Sequence, residues 1–291
     1  MSELNGILIK AIAGFYYIEA GDSVYECKAR GVFRKEHITP TVGDKIAFEI
    51  LSEGKGVLTK VLERKNLLVR PPIANIDRLF IVSSHNTPAP NATVIDRLTA
   101  IAIENKIEPI IVFNKADLGD MSNWEKIYKS AGFKTVTASG QSGEGCDEIL
   151  SLISGKISAF TGNSGVGKSS LLNKIIPSLN LKTGDVSEKL GRGRHTTRHT
   201  ELYKIRGGYV ADTPGFSSLD IEKTMFLEKE NLQFVFPDFE PFLGSCKFTS
   251  CTHTGEKGCA VSKACDDGLV EKSRLESYRL IYKEIKDIKK W

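Results

Sequence analysis

The sequence predicts an α/β protein in three parts: a strand-built domain over residues 1–66, a doubly wound domain over 67–217 and a helical domain over 218–291. Short β-branched and aromatic runs broken by turn residues fill the first part. Continuous apolar runs alternating with helix-periodic segments fill the second. Four cysteines and a histidine crowd residues 246–265 of the third.

In the first part, Ile7-Leu8-Ile9, Phe15 to Ile18, Val24 to Cys27 and Lys45 to Ile50 read as strands, separated by turns such as Ala20-Gly21-Asp22 and Glu53-Gly54-Lys55-Gly56. Five or so short strands in this length suit a small barrel, most simply an OB-fold. Such barrels often bind RNA through aromatic stacking and a basic face. Arg30, Arg34, Lys35 and His37, around Gly31-Val32-Phe33, are the candidate contacts; a solvated loop is the equal alternative. Acidic residues nearly balance basic ones here, so charge alone does not decide. Asn66 to Ile76, with Pro71-Pro72, reads as a linker.

In the second part, Leu79 to Val82 and Pro109 to Phe113 are continuous apolar runs, as in buried parallel strands. Val94 to Glu104 is helical, with Ile95, Leu98, Ala102 and Ile103 on one face. Helices near 121–131 and 143–154 flank a strand at Lys134 to Thr137.

Four motifs lie on this frame. Gly162-Asn163-Ser164-Gly165-Val166-Gly167-Lys168-Ser169, followed by Ser170, fits G-x-x-x-x-G-K-S between a strand and a helix. Glycines there turn backbone N–H groups onto a phosphate chain, and the helix N-terminus adds positive potential. Lys168 reaches the β- and γ-phosphates and Ser169 can ligate Mg2+. Asn114-Lys115-Ala116-Asp117 fits the guanine-reading N-K-x-D. Asp117 can accept from guanine N1–H and the 2-amino group, a donor pair that adenine lacks. Asn114 can contact the base or brace the phosphate loop, and the Lys115 stem can cover the ring. Thr137-Ala138-Ser139 resembles a second guanine-contacting loop. Asp212-Thr213-Pro214-Gly215 fits D-x-x-G, in which Asp212 holds Mg2+ through water and the Gly215 N–H meets the γ-phosphate. In the basic run Gly191 to His199, Thr197 or Thr196 could complete the Mg2+ shell.

The motif order is unusual. Ordinary GTPases run from the P-loop through D-x-x-G to N-K-x-D, whereas here N-K-A-D precedes the P-loop. With a leading barrel and a trailing Cys/His cluster, the chain resembles the RsgA family, circularly permuted GTPases of bacterial ribosome assembly, over essentially its whole length. The resemblance implies GTP hydrolysis stimulated by the small (30S) ribosomal subunit, late maturation of that subunit through rRNA binding, Mg2+ with GTP or GDP, one structural Zn2+, and a monomer. Phe216 follows Gly215 where Ras-like proteins carry a water-positioning glutamine. His195 is then the local candidate for that role, in agreement with a switch-loop histidine in the family; contact with RNA or solvent is its alternative.

Of the six cysteines, Cys27 and Cys146 are isolated and read as packed thiols. Cys246, Cys251 and His253 supply three donors of a tetrahedral Zn2+ site, with Cys259 or Cys265 as the fourth. The family spacing C-x4-C-x-H-x5-C favours Cys259. Leu269 to Trp291 reads as a charged amphipathic helix.

Composition excludes little else. At 41% hydrophobic and 26% charged, the 291 residues match an ordinary globular chain. No run approaches eighteen uncharged apolar residues, and Met1 to Asn5 lacks a secretion signal, so a cytoplasmic protein without membrane contact is expected. A net charge of +4 is too small to imply a polyanionic partner. Two rival classes remain: an RNA-binding module that keeps GTP as a structural ligand, and an ATPase or kinase built on the same P-loop. Asp117 argues against the second.

Overall fold

The described residues form thirteen strands: β1 (Glu3–Ile12), β2 (Phe15–Ala20), β3 (Ser23–Ala29), β4 (Lys45–Ser52), β5 (Lys55–Val61), β6 (Leu67–Val69), β7 (Pro72–Ala74), β8 (Arg78–Ser84), β9 (Glu108–Asn114), β10 (Lys134–Thr137), β11 (Ile157–Thr161), β12 (Glu201–Ile205) and β13 (Gly208–Asp212). The structure, a computed structural model, describes residues 3–31, 33, 38–69, 71–181, 200–212 and 227–287, without the side chain of Asp212. The chain forms two compact units. One comprises Met1–Arg78, Leu150–Phe160 and Asp185–Phe216; the other comprises Leu79–Ile149, Thr161–Gly184 and Ser217–Trp291.

In the first unit, β1 pairs antiparallel with β2, β2 with β3, β5 with β4, and β4 back with β1, while β3 and β5 run parallel. The ring is therefore closed, as an OB-type barrel requires, and closure removes exposed sheet edges. Alternate residues point inward and give a core of Leu8, Ile18, Cys27, Phe33, Ile46, Phe48 and Leu58. Lys10 of β1 also registers with Glu201 of β12; β12 pairs antiparallel with β13, and β13 runs parallel to β11. The expected linker is instead a small hairpin, with Leu68 of β6 opposite Ile73 of β7. Both side chains are buried. The Asn66 carboxamide bonds both the N–H and the carbonyl of Ile76, closing the hairpin base as a strand partner would.

In the second unit, strands lie in the order β10-β9-β8, with β9 and β10 parallel. Among the described residues the helices are α1 (Ala92–Glu104), α2 (Ser122–Ser130), α3 (Cys146–Ile153), which straddles the unit boundary, α4 (Lys168–Ile175), α5 (Ala260–Asp266) and α6 (Lys272–Ile285). Asn91 caps α1 by accepting the Val94 N–H, and Ile95, Leu98 and Ala102 face inward as the period requires. Within the part expected to be helical, the aromatic stretch before the cysteines forms no α-helix among the described residues. Leu232–Val235 and Pro237–Phe242 form 3-10 turns, since Pro237 and Pro241 cannot donate to an α-helical ladder. They pack Phe236 and Phe239 against Val261, Leu275, Tyr278 and Ile281. Among the described residues no helix is long and apolar enough to cross a membrane.

Arg274 of α6 lies inside this core, 1% exposed. Its guanidinium bonds Asp96 of α1 and Asp238, the latter at 2.6 Å, and stacks 4.6 Å from the Phe236 ring centroid. Burial by itself would lower the Arg274 pKa, but the two carboxylates raise it and hold the side chain charged.

Candidate nucleotide site and metal centre

β9 delivers Asn114 at its carboxyl end, and the loop Gly162 to Gly167 leads into α4. Asn114 is buried. Its Nδ2 donates to the Val166 carbonyl at 2.9 Å and its Oδ1 accepts the Gly140 N–H at 3.1 Å. One carboxamide thus joins the N-K-A-D turn, the phosphate loop and the loop after β10. Two glycines permit this closeness. A Cβ on Gly167, at φ +88°, would lie 2.4 Å from Asn114 Nδ2, and one on Gly140 would lie 2.8 Å from the Leu171 nitrogen.

Lys168 opens α4 and is half-buried. Its Nζ donates to the carbonyls of Gly162 and Asn163, the latter at 2.9 Å. Burial pushes its pKa down to about 8, because carbonyl dipoles replace bulk water only in part. A cation so held gains from any anion placed on the loop. Ser169 and Ser170 follow in the first turn of α4, both half-buried.

Lys115 adopts the left-handed conformation at φ 63° and donates to the Thr87 carbonyl at 2.7 Å. Asp117 stands on the next 3-10 turn, exposed at its rim. One of its oxygens accepts the Ser139 hydroxyl proton. Ser139 is fully buried, and its oxygen accepts the N–H groups of Gln141 and Ser142, each at 3.1 Å. Its own N–H goes to the Glu144 carbonyl at 3.0 Å. The hydroxyl thereby fixes the Asp117 carboxylate, a role that the likeness of Thr137-Ala138-Ser139 to a base-contacting loop did not anticipate.

Asp212 ends β13, opposite Glu201. His195, Thr196, Thr197, Gly215 and Phe216 lie outside the described residues, as do Arg34, Lys35 and His37. Arg30 is described, and pairs with Glu49 at 2.7 Å.

The donor atoms of Cys246, Cys251, His253 and Cys259 all lie within 4.8 Å of one another. Cys265 sits in α5 and is not among them. The buried His253 ring turns Nδ1 to the three sulfurs, at 3.4 to 3.7 Å. Nε2 lies 3.0 Å from Gln233 Oε1. With Nε2–H donating there, the Nδ1 lone pair points into the cluster. Burial also pushes the His253 pKa down, which favours the neutral ring. The N–H groups of Ala260 and Ser262 donate to the sulfurs of Cys246 and Cys259, which stabilises thiolates. Glu256 accepts from the N–H groups of Thr252, Thr254 and Gly255 and from the Thr252 hydroxyl. Although burial pushes its carboxyl up, those bonds hold it at about 2. Three thiolates and one imidazole at this spacing fit a tetrahedral Zn2+. Gln233 and Glu256 carry no motif; only the run Thr252-His253-Thr254-Gly255-Glu256 hints at a carboxylate-capped turn.

A P-loop clasped to an N-K-A-D turn that precedes it in the chain is the arrangement of a circularly permuted GTPase. The sequence model described as RsgA GTPase matches residues 61–222, and that of the RsgA N-terminal domain matches residues 5–58. The chain belongs to the RsgA family. It is 43% identical to the "Small ribosomal subunit biogenesis GTPase RsgA" of Caldanaerobacter subterraneus, over 100% of this chain and 98% of that one. To the protein of that name from Streptococcus pneumoniae it is 43% identical, over 98% and 95%. Among solved structures, YjeQ from Thermotoga maritima superposes with a TM-score of 0.84 at 34% identity, covering 99% of this chain and 100% of that one. YloQ, described as a circularly permuted GTPase, gives 0.83 at 36% identity, covering 100% and 97%.

Proposed function

We propose that this GTPase acts in late maturation of the small ribosomal subunit, with hydrolysis stimulated by that subunit and binding made through rRNA. The observation that carries the reading is the Asn114 clasp, which joins the base-reading and phosphate loops despite their inverted order. The names of the relatives supply the ribosomal context. We assign residues 1–66 to the RNA-binding barrel, 67–217 to the GTPase domain and 218–291 to the metal-bearing domain, in a monomeric cytoplasmic protein.

Asp117 reads guanine, Lys115 covers the ring, and the loop at Ser139 closes the base site. The N–H groups from Gly162 to Ser170 surround the phosphates, and Lys168 exchanges its carbonyl partners for the β- and γ-oxygens. Ser169, Asp212 and Thr197, or Thr196 in its place, would hold the Mg2+ that offsets phosphate charge. The Gly215 N–H meets the γ-phosphate. Phe216 has no hydrogen-bonding group for the attacking water, and His195 takes that role. Cys246, Cys251, His253 and Cys259 would hold one Zn2+, which supplies folding energy to a segment with little apolar content.

Single-turnover GTP hydrolysis with and without small subunits tests the whole reading, and equal rates would refute stimulation. His195→Ala is expected to keep nucleotide affinity but slow stimulated turnover by roughly a hundredfold; wild-type turnover would return His195 to an RNA or solvent contact. Ser169→Ala is expected to lose turnover more than stability. For the metal, elemental analysis should find one Zn2+ in the wild type and in Cys265→Ser, and none in Cys251→Ser.

A further inference from the structure

To read guanine, Asp117 must be held in place by the 3-10 turn that carries it, Ala116–Leu118. None of these three residues is buried, so the turn has no core anchor of its own. Its outgoing end is tied down by Asp120, whose carboxylate accepts the Ser122 N–H at 2.9 Å and the Ser122 hydroxyl at 2.7 Å at the start of α2. Further support comes from the segment after β8. There the His85 N–H donates to the Asn114 carbonyl at 3.2 Å, and the Thr87 carbonyl accepts from Lys115 Nζ at 2.7 Å. The His85 ring itself lies against Gly119, the residue that ends the turn. A Cβ on Gly119 would stand 2.2 Å from Nε2 and 2.4 Å from Cε1. The ring edge thus occupies the space that a side chain at 119 would need. Polar bonding does not account for the ring's place. His85 Nδ1 is buried and has no hydrogen-bond partner among the described residues, and an unpaired buried nitrogen lowers stability. A ring retained on those terms acts through what it touches, and it touches the turn.

We infer that His85 is a positioning residue for guanine recognition: its ring edge, seated on Gly119, props the N-K-A-D turn so that the Asp117 carboxylate meets both Ser139 and the base. The inference rests on the reading of Asp117 as the guanine acceptor. The ring and the glycine form a matched pair, because a ring edge and a side chain cannot share one space. Removing the ring leaves a gap beneath the turn and frees Asp117 to drift from Ser139. Adding a methyl at 119 drives the turn off the ring, with the same result. A methyl at 119 without the ring fills part of the gap. The two replacements must therefore be non-additive, as contacting residues are.

The test uses full-length protein and calorimetric titration with GDP and with IDP, whose base lacks only the 2-amino group that Asp117 accepts. Wild type should prefer GDP by roughly tenfold or more, the worth of one charge-assisted hydrogen bond. His85→Ala and Gly119→Ala are each expected to cut that preference about fivefold, and His85→Ala/Gly119→Ala to return it to within about twofold of wild type. The ratio of affinities is the readout, since general loosening of the protein weakens both nucleotides alike. Melting curves confirm that each variant folds; should Gly119→Ala fail to fold, recovery of folding by adding His85→Ala reports the same coupling. Asp117→Ala separates the two levels. If it abolishes the preference while His85→Ala keeps the wild-type ratio, or while the His85 and Gly119 effects simply add, His85 has no positioning role and the reading of Asp117 stands. If Asp117→Ala keeps the preference, the reading of Asp117 itself fails and takes the inference with it.

Discussion

Lys168 and Arg274 are two cations drawn out of water in the same unit, and they are treated in opposite ways. Arg274 has two carboxylates, Asp96 and Asp238, and aromatic faces around it. Among the described residues, the partners of Lys168 are two backbone carbonyls. The first has its charge met by protein carboxylates. The second is desolvated with no counter-charge among the described residues, and burial lowers its pKa to about 8 while the carboxylates raise that of Arg274. A buried cation matched by protein carboxylates holds a fold together; one left to dipoles is prepared for an anion that arrives later.

The largest expected effect would break the Arg274 side of this contrast. Arg274→Met leaves Asp96 and Asp238 buried without a cation and should destabilise the protein by about 3–5 kcal/mol, read by urea unfolding. Replacing all three by apolar residues should recover most of that loss; failure to recover would mean that packing, not charge, dominates. Lys168→Met should do the reverse. Stability without nucleotide should stay within about 0.5 kcal/mol of wild type, while GTP affinity falls by about a hundredfold, the loss of charge-assisted bonds to two phosphates.

Smaller effects sharpen the contrast. Asp117→Asn should weaken GTP by about 1.5–3 kcal/mol and admit xanthine nucleotide, because an amide replaces the acceptor for the 2-amino group. A calorimetric titration against both nucleotides measures this. The smallest effect is in pH. Phosphates favour charged Lys168, so its pKa is higher in the complex than the value of about 8 without ligand. GDP affinity should then be flat below pH about 7 and fall as pH rises through 8, by at most about tenfold per unit. Lys168→Arg, charged throughout, should remove the slope.

Much of this was legible because it is local. The strand pattern, the P-loop and N-K-A-D are each contained in a few consecutive residues, and the Cys/His cluster lies between 246 and 259. Arg274 was not legible: its partners are 178 and 36 residues away, and an arginine on a charged helix reads as a solvated face. Ser139 was placed in a base-contacting loop, but its hydroxyl bond to Asp117 depends on a turn that only the folded loop supplies. The β6–β7 hairpin escaped notice because three-residue strands around a proline pair carry too little periodicity. The Gln233 contact to His253 is conventional polar chemistry at a position without a motif.

One edge of β1 is shared. Glu3 to Ile7 pair with β4, and Lys10 pairs with β12. The first pairing joins segments made early and needs nothing beyond residue 61. The second spans 191 residues, so during synthesis the barrel can close long before β12 exists. Its far end of β1 then waits as an open template until β12 and β13 emerge. Such non-local pairing is slow, because loop entropy is lost before contacts form. The order of assembly is thus written into β1: a domain that folds at once, carrying the docking strand for the last part of its own unit.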